Sequence, residues 1–184
     1  GVRRMRVITG KARGRKLREP KGMDIRPTTD MVKEAVFNIL QFELEDARVL
    51  DLFAGTGQLG IEALSRGAAE AVFVDGSSAA IKIVKENLEL CGFKAKVLQG
   101  DAIGYLPALG KFDIVFLDPP YDSDLLEKAL KVIENVDLLS GGGIIVCESR
   151  SQAVLPAPGE NYSVELERRY GKVKITVIRR KLDT

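Results

Sequence analysis

From Arg48 onward the chain alternates short apolar runs with segments of helical period, and this alternation constrains the fold more than any other feature. Strand-like runs occupy residues 48–52, 71–75, 95–99, 112–117 and 143–148. Helix-like segments fall between them, at 59–66, 77–91, 102–109 and 123–135. In the second of these, Ile81, Val84, Leu88 and Cys91 recur on one face, and Gly92 stops the segment as Gly67 stops the one before it. A β-α-β-α order implies a parallel, doubly wound sheet with right-handed crossovers. The end differs: 163–169 and 172–179 alternate around Tyr170-Gly171, which predicts a C-terminal antiparallel hairpin that extends the sheet. At 184 residues this is one α/β domain with a sizeable core.

The first residues have a different character. Residues 5–19 read as a basic β-hairpin: a strand at 5–9, a turn from Gly10 to Gly14, and a return at 15–18. Arg26-Pro27-Thr28-Thr29-Asp30 then leads into a helix, with Thr29 or Asp30 as its N-cap and Val32, Val36, Ile39 and Leu40 facing inward. Residues 1–28 therefore form a basic extension on a domain at 29–184. Residues 1–26 hold ten Lys/Arg against two acids, Glu19 and Asp24; the remainder holds 18 Lys/Arg against 24 Asp/Glu. A basic extension on a mildly acidic body points to a polyanionic partner, and a solvated basic tail is the plainer reading. Gly1 to Arg4 carry no weight in the argument.

Composition excludes several classes. Hydrophobic residues make up 45% and charged residues 29%, with no apolar run of membrane-spanning length and no apolar segment after the basic start. Two cysteines, in apolar-patterned segments, read as buried reduced thiols of a cytoplasmic protein. With two Cys and no His, no metal site is expected, and the commonest general base near neutral pH is missing.

The first strand of the alternating series runs into Asp51-Leu52-Phe53-Ala54-Gly55-Thr56-Gly57-Gln58-Leu59-Gly60. A glycine-rich turn after the first strand of such a sheet is a site for a nucleotide-like ligand. Asp75, at the end of the next strand, can accept both hydroxyls of a ribose. Gly55 to Gly60 also match the dinucleotide fingerprint GxGxxG, so a nicotinamide-dependent dehydrogenase competes. Against it, the Asp51 carboxylate would repel a pyrophosphate but suits the sulfonium and ammonium of S-adenosylmethionine. A tight turn with no ligand is the plain structural reading. Asp101-Ala102, after the third strand, can accept from an adenine amine, or Asp101 can simply cap a helix.

The most specific signal is Asp118-Pro119-Pro120-Tyr121, at the carboxyl end of the fourth strand. Asp118 can accept a hydrogen bond from an amine. The prolines fix the turn, so that the Pro119 carbonyl can serve as a second acceptor. Tyr121 offers a face for stacking a planar base. The lone pair of an exocyclic base amine is delocalised into the ring. Two acceptors on its hydrogens favour a tetrahedral nitrogen and free that lone pair for in-line attack on a methyl group. A base within a duplex must first be flipped out. A rigid turn that merely ends a strand is the alternative.

Together Asp51 to Gly60, Asp75, Asp101 and Asp118 to Tyr121 resemble the class I methyltransferases that modify base amines. Met5-Arg6-Val7-Ile8-Thr9-Gly10, Gly14-Arg15-Lys16-Leu17, Arg26 to Asp30 and Phe37-Asn38-Ile39-Leu40 narrow the resemblance to the RsmD-type family, which methylates N2 of a guanine in 16S ribosomal RNA. The resemblance runs from Met5 to about Arg180. It implies a seven-stranded Rossmann-like sheet, with S-adenosylmethionine held by Asp51, Phe53, Ala54, Gly55, Thr56, Gly57, Asp75, Asp101 and Ala102. Asp118, Pro119, Pro120 and Tyr121 would hold the guanine amine. RNA would meet Arg6, Lys11, Arg13, Arg15 and Lys16 on the hairpin and Arg26, Pro27 and Thr28 near the site's mouth. The implied partner is 16S ribosomal RNA, in a small subunit or assembly intermediate, met by a monomer. Gly76-Ser77-Ser78 departs from relatives that often carry charge there, without touching Asp75.

Rival readings stay open. The same four-residue motif serves DNA adenine-N6 and cytosine-N4 methyltransferases, although those usually need a target-recognition domain. Enzymes that methylate protein glutamine typically show Asn where Asp118 stands. A non-catalytic RNA-binding assembly factor is the rival from another class.

Overall fold

The computed structural model describes residues 5–20 and 27–184, without the side chains of residues 27–29. Its elements run α1 (Pro27–Ile39), β1 (Arg48–Leu52), α2 (Gln58–Ser65), β2 (Glu70–Asp75), α3 (Ser78–Cys91), β3 (Lys96–Gln99), α4 (Ala102–Tyr105), β4 (Phe112–Leu117), α5 (Leu125–Val136), β5 (Leu139–Arg150), β6 (Tyr162–Tyr170) and β7 (Val173–Arg180). The strands form one seven-stranded sheet in the order β3-β2-β1-β4-β5-β7-β6. β1 to β5 pair in parallel, β7 pairs antiparallel with β5, and β6 antiparallel with β7. This is the doubly wound, mostly parallel sheet expected from the alternating periods, with its C-terminal hairpin. Both hairpin strands join the sheet.

Side chains alternate across the sheet, so each strand feeds two cores. Val49, Phe73, Ile114, Phe116, Val146 and Val177 lie on one face, with Val36 of α1, Ile61 of α2 and Val84 of α3. Leu50, Leu52, Val72, Val115, Leu117 and Ile145 lie on the other, with Leu106, Leu130 and Ile133. Gly60 permits close packing on the first face: a Cβ there would sit 2.4 Å from the Phe73 ring. The chain proceeds outward from β1 on one side and from β4 on the other. Their carboxyl ends flank the switch point where open sheets place ligands.

Several boundaries differ from the sequence reading. Helix α1 starts at Pro27, so Thr29 and Asp30 lie inside its first turn rather than capping it. Proline suits that first position, where its missing N–H costs nothing. The predicted helix at 102–109 is a single α turn followed by a 3-10 turn at Leu106–Ala108, because Pro107 has no N–H to continue the α pattern. β5 extends well beyond the predicted 143–148. Cys147 is buried, but Cys91 is only half-buried. Among the described residues no helix is long and apolar enough to cross a membrane, and no group of side chains could hold a metal ion.

The N-terminal hairpin is narrower than expected: one bridge, Arg6 to Lys16, flanked by Val7 N–H to the Arg15 carbonyl and Leu17 N–H to the Met5 carbonyl. It is docked on the body. Val7, Ala12 and Leu17 are buried in the same core as α1 and α2. Glu62 of α2, 0% exposed, accepts the Ile8 and Thr9 amides at 2.8 and 3.0 Å and pairs with Arg66 at 2.9 Å and Lys33 at 3.4 Å. Buried Asn87 of α3 mimics a strand edge toward Arg18. It accepts its amide at 2.6 Å and donates to its carbonyl at 3.1 Å.

Candidate active site

At the end of β1 the backbone turns through Phe53 in a left-handed conformation, φ 62°, which is unusual for an aromatic residue. Asp51, 2% exposed, accepts the Gly60 amide of α2 at 2.9 Å. Burial pushes its carboxyl up to about 7; the Gly60 amide counters the rise and Asp75 adds to it. Asp75 ends β2. Its two oxygens accept the Gly55 amide and the Ser77 amide, each at 2.9 Å, which ties the glycine turn to the start of α3. Asn87 also donates to the Thr56 carbonyl at 2.9 Å, and the Thr56 hydroxyl meets the Met5 sulfur at 3.4 Å.

Beside this turn, β4 delivers Asp118-Pro119-Pro120-Tyr121. Register pairs Leu52 with Leu117, so Phe53 and Asp118 emerge side by side. Burial pushes the Asp118 carboxyl well above the usual range, reinforced by the charge of Glu148, a hydrogen bond with it, and the charge of Asp51. The Tyr121 hydroxyl donates to Glu148 Oε1 at 3.0 Å. Arg150 stands 5.7 Å from the centre of the Tyr121 ring and grips Asp122 with two bonds, of 2.8 and 3.0 Å.

Two cavities open at this edge. One, of about 540 Å³, is lined by Asp51, Phe53 to Thr56, Asp118, Tyr121 and Glu148, with Lys33, Met5, Glu19 and Pro20 among its other walls. The second, of about 630 Å³, is lined by Asp75, Gly100, Asp101, Ala102 and the whole run from Asp118 to Tyr121. Phe53, Gly55, Asp118 and Tyr121 belong to both, so the two halves adjoin. Gly55 takes the left-handed region that favours glycine, φ +60°, and lines both cavities, where a Cβ would meet no protein atom. Asp101 precedes α4 in the cap position but makes no side-chain capping bond there, which leaves its carboxylate to the second cavity.

These residues fit a ligand with a nucleoside half and a cationic half. Asp75 and Asp101 supply acceptors in one cavity. In the other, Asp51, Asp118 and Glu148 have no positive charge paired with them among the described residues, and burial, with neighbouring carboxylates adding to it, pushes the two aspartates upward. A sulfonium and an ammonium would supply it.

Most residues singled out in the sequence meet here. Gly57 does not line either cavity; it sits at the head of α2 with φ 80°, and a Cβ there would press on Val84 at 3.3 Å. Arg6, Lys11, Arg13, Arg15 and Lys16 are exposed on the hairpin, whose ends, at Met5 and at Glu19 and Pro20, border the first cavity. Arg26 lies outside the described residues. Pro27 and Thr28 open α1, and their side chains are not described. Sequence reasoning missed Glu148 and Lys33. Glu148 lies inside β5, one residue past its last pairing with β4, at the same sheet edge that singled out Asp75, and that edge rule could have found it. Lys33, 2% exposed, donates to the Arg6 carbonyl at 2.9 Å and lines the first cavity. Burial lowers its pKa, opposed by Glu62. A lysine on an amphipathic helix normally reads as solvated.

The family described as conserved hypothetical protein 95 matches residues 5–179. The Escherichia coli protein named ribosomal RNA small subunit methyltransferase D is 38% identical over 182 residues, covering 98% of this chain and 92% of that protein. The chain belongs to the RsmD family. Bacillus subtilis YlbH is 39% identical over 183 residues, covering 96% of this chain and all of that protein. The solved structure of Escherichia coli yhhF superposes with a TM-score of 0.87 at 38% identity, covering 97% of this chain and 99% of that one. For an RsmD-family chain, the two joined cavities at the switch point are the place where methyl donor and acceptor would meet.

Proposed function

We propose that this protein transfers a methyl group to the exocyclic N2 amine of a guanine in small-subunit ribosomal RNA. It is a methyltransferase, and its cofactor is S-adenosylmethionine. The observation that carries the finer reading is the placement of Asp118 to Tyr121 on both cavities, beside the glycine turn. Support for an RNA substrate comes from the cationic hairpin beside the site and the relative's printed name.

Bound cofactor supplies an electrophilic methyl group on a sulfonium. The chain's residues do the rest by position and charge. Asp75 holds the ribose hydroxyls, and Asp101 with Ala102 frames the adenine. Asp51, with Phe53, Ala54, Gly55 and Thr56, holds the amino-acid end, where the buried carboxylate balances positive charge. Asp118 and the Pro119 carbonyl accept the two hydrogens of the target amine and turn its lone pair toward the methyl group. Tyr121 stacks on the base. Because the amine's proton leaves late, through Asp118 to solvent, no histidine is needed. Arg6, Lys11, Arg13, Arg15 and Lys16 hold RNA phosphates, with Arg26, Pro27 and Thr28 at the mouth.

Incubation with methyl-labelled cofactor tests this on four substrates: unmethylated small ribosomal subunits, their naked RNA, duplex DNA and a protein extract. Label recovered as N2-methylguanosine from subunits or their RNA is the expected result. Label in DNA adenine or cytosine would overturn the substrate, and no label anywhere would favour an RNA-binding assembly factor.

A further inference from the structure

We infer that Glu148 is a specificity-determining residue: it accepts the N1–H of the target base, and so admits guanine and rejects bases whose amine lies beside a ring-nitrogen lone pair. This rests on the reading of the site as one for a base amine.

Register places the residue. Leu117 of β4 pairs with Cys147 of β5, so Asp118 leaves β4 beside Glu148, which stays in β5 opposite Ile175 of β7. Each carboxyl lies close enough to raise the electrostatic cost of the other's charge, and both line the first cavity with Tyr121. Two neighbouring carboxyl groups at one wall present two neighbouring sets of acceptors. The exocyclic amines differ in what stands beside them. Adenine N6 and cytosine N4 adjoin a ring nitrogen that only accepts. Guanine N2 adjoins N1–H, a donor. An acceptor beside the amine's acceptor therefore matches guanine alone, and a carboxylate facing the lone pair of the other two would be repelled.

Glu148 has the capacity for this bond. An ionised carboxylate offers about four lone-pair sites. The Tyr121 hydroxyl occupies one on Oε1, which leaves acceptor positions for a ligand. Cations do not compete: among the described residues Arg150 is committed to Asp122 and Lys33 to Glu62 and the Arg6 carbonyl. The Tyr121 bond also sets the stacking ring relative to Glu148, so the base plane and the edge reader are positioned as one unit.

The test uses 2-aminopurine, which keeps the N2 amine but has a lone pair at N1. Single-turnover methylation is followed on the labelled ribosomal RNA, prepared with guanine or with 2-aminopurine at the modified position. Wild-type protein is expected to favour guanine by about 100-fold, since a site built for a donor leaves its acceptor unpaired when the donor is gone. In Glu148→Gln the amide can donate to the N1 lone pair, so the preference should fall at least about tenfold or reverse when both RNAs are compared at saturating cofactor. Equal wild-type rates on the two RNAs overturn the inference without any variant. So does a Glu148→Gln protein that slows equally on both. Label recovered as N6-methyladenosine from wild type would overturn the base reading and this inference together, and the nucleoside itself tells the two failures apart.

Discussion

Asp51 concentrates the cost of this site in one carboxyl. Its ordinary value is 3.8 and its folded value about 7, so the cofactor-free folded state binds a proton that the unfolded state releases. For this group stability is greatest below pH 4, falls as pH rises toward 7, and is level above that. Asp51→Asn keeps an acceptor for the Gly60 amide and removes the penalty. It should melt higher than wild type above pH 7, with the difference vanishing near pH 4; a difference independent of pH would contradict the argument. Cofactor affinity should move the other way. Because a cationic ligand favours the ionised carboxylate, wild-type affinity should weaken about tenfold from pH 8 to pH 6. In Asp51→Asn titration calorimetry should find it weak and nearly flat. On the proposed reading Tyr121 serves the other partner, the base. Tyr121→Ala should lower single-turnover methylation about 10- to 100-fold, in line with one lost stacking contact, and leave cofactor affinity within about twofold. Equal losses would move Tyr121 to the cofactor's side.

At the scale of elements, two close fits hold the site together. Helix α2 approaches β2 so nearly that a Cβ on Gly60 would lie 2.4 and 2.7 Å from Phe73 ring atoms and 3.2 Å from the Asp51 Cβ. Gly60→Ala must push the helix off the sheet, at a cost of about 1–3 kcal/mol, and it displaces the amide that Asp51 accepts. Urea unfolding should show a lower midpoint at an unchanged slope. The hairpin is the second fit. Its apolar residues are fixed in the core while its cations face outward, so neutralising Arg13, Arg15 and Lys16 together should leave stability nearly unchanged. RNA affinity should fall, and the salt dependence should flatten by up to about two units of log–log slope. An unchanged slope would remove these residues from the interface.

Across the molecule, what sequence revealed divides by distance along the chain. The alternating periods made the sheet, its topology and its carboxyl edge legible, because each strand and turn carries its own local pattern. Asp51, Asp75 and Asp118 were found by the rule that ligands gather at that edge. Glu148 obeys the same rule but sits inside a strand longer than its apolar run suggests, with Ser149 and Arg150 beyond it. Lys33, Glu62 and Asn87 could not be read. Each is a polar residue buried by partners 27 to 69 positions away, and nothing nearby in the chain announces such a pairing. The basic extension looked like a separate arm for the same reason: charge pattern is local, and the bonds that dock it are not.

That docking bears on how the two ligands would interact. Asn87 holds the hairpin's Arg18 and the glycine turn's Thr56 with one amide, and Met5 touches the same threonine. A ligand that orders the turn therefore steadies the hairpin, and a polyanion that steadies the hairpin returns the favour by the same factor, as thermodynamic reciprocity requires. RNA and methyl donor would each tighten the other's grip, while the demethylated cofactor, having lost its sulfonium charge in a cavity walled by Asp51 and Asp118, would loosen both. Release of product would then begin with the methyl transfer itself.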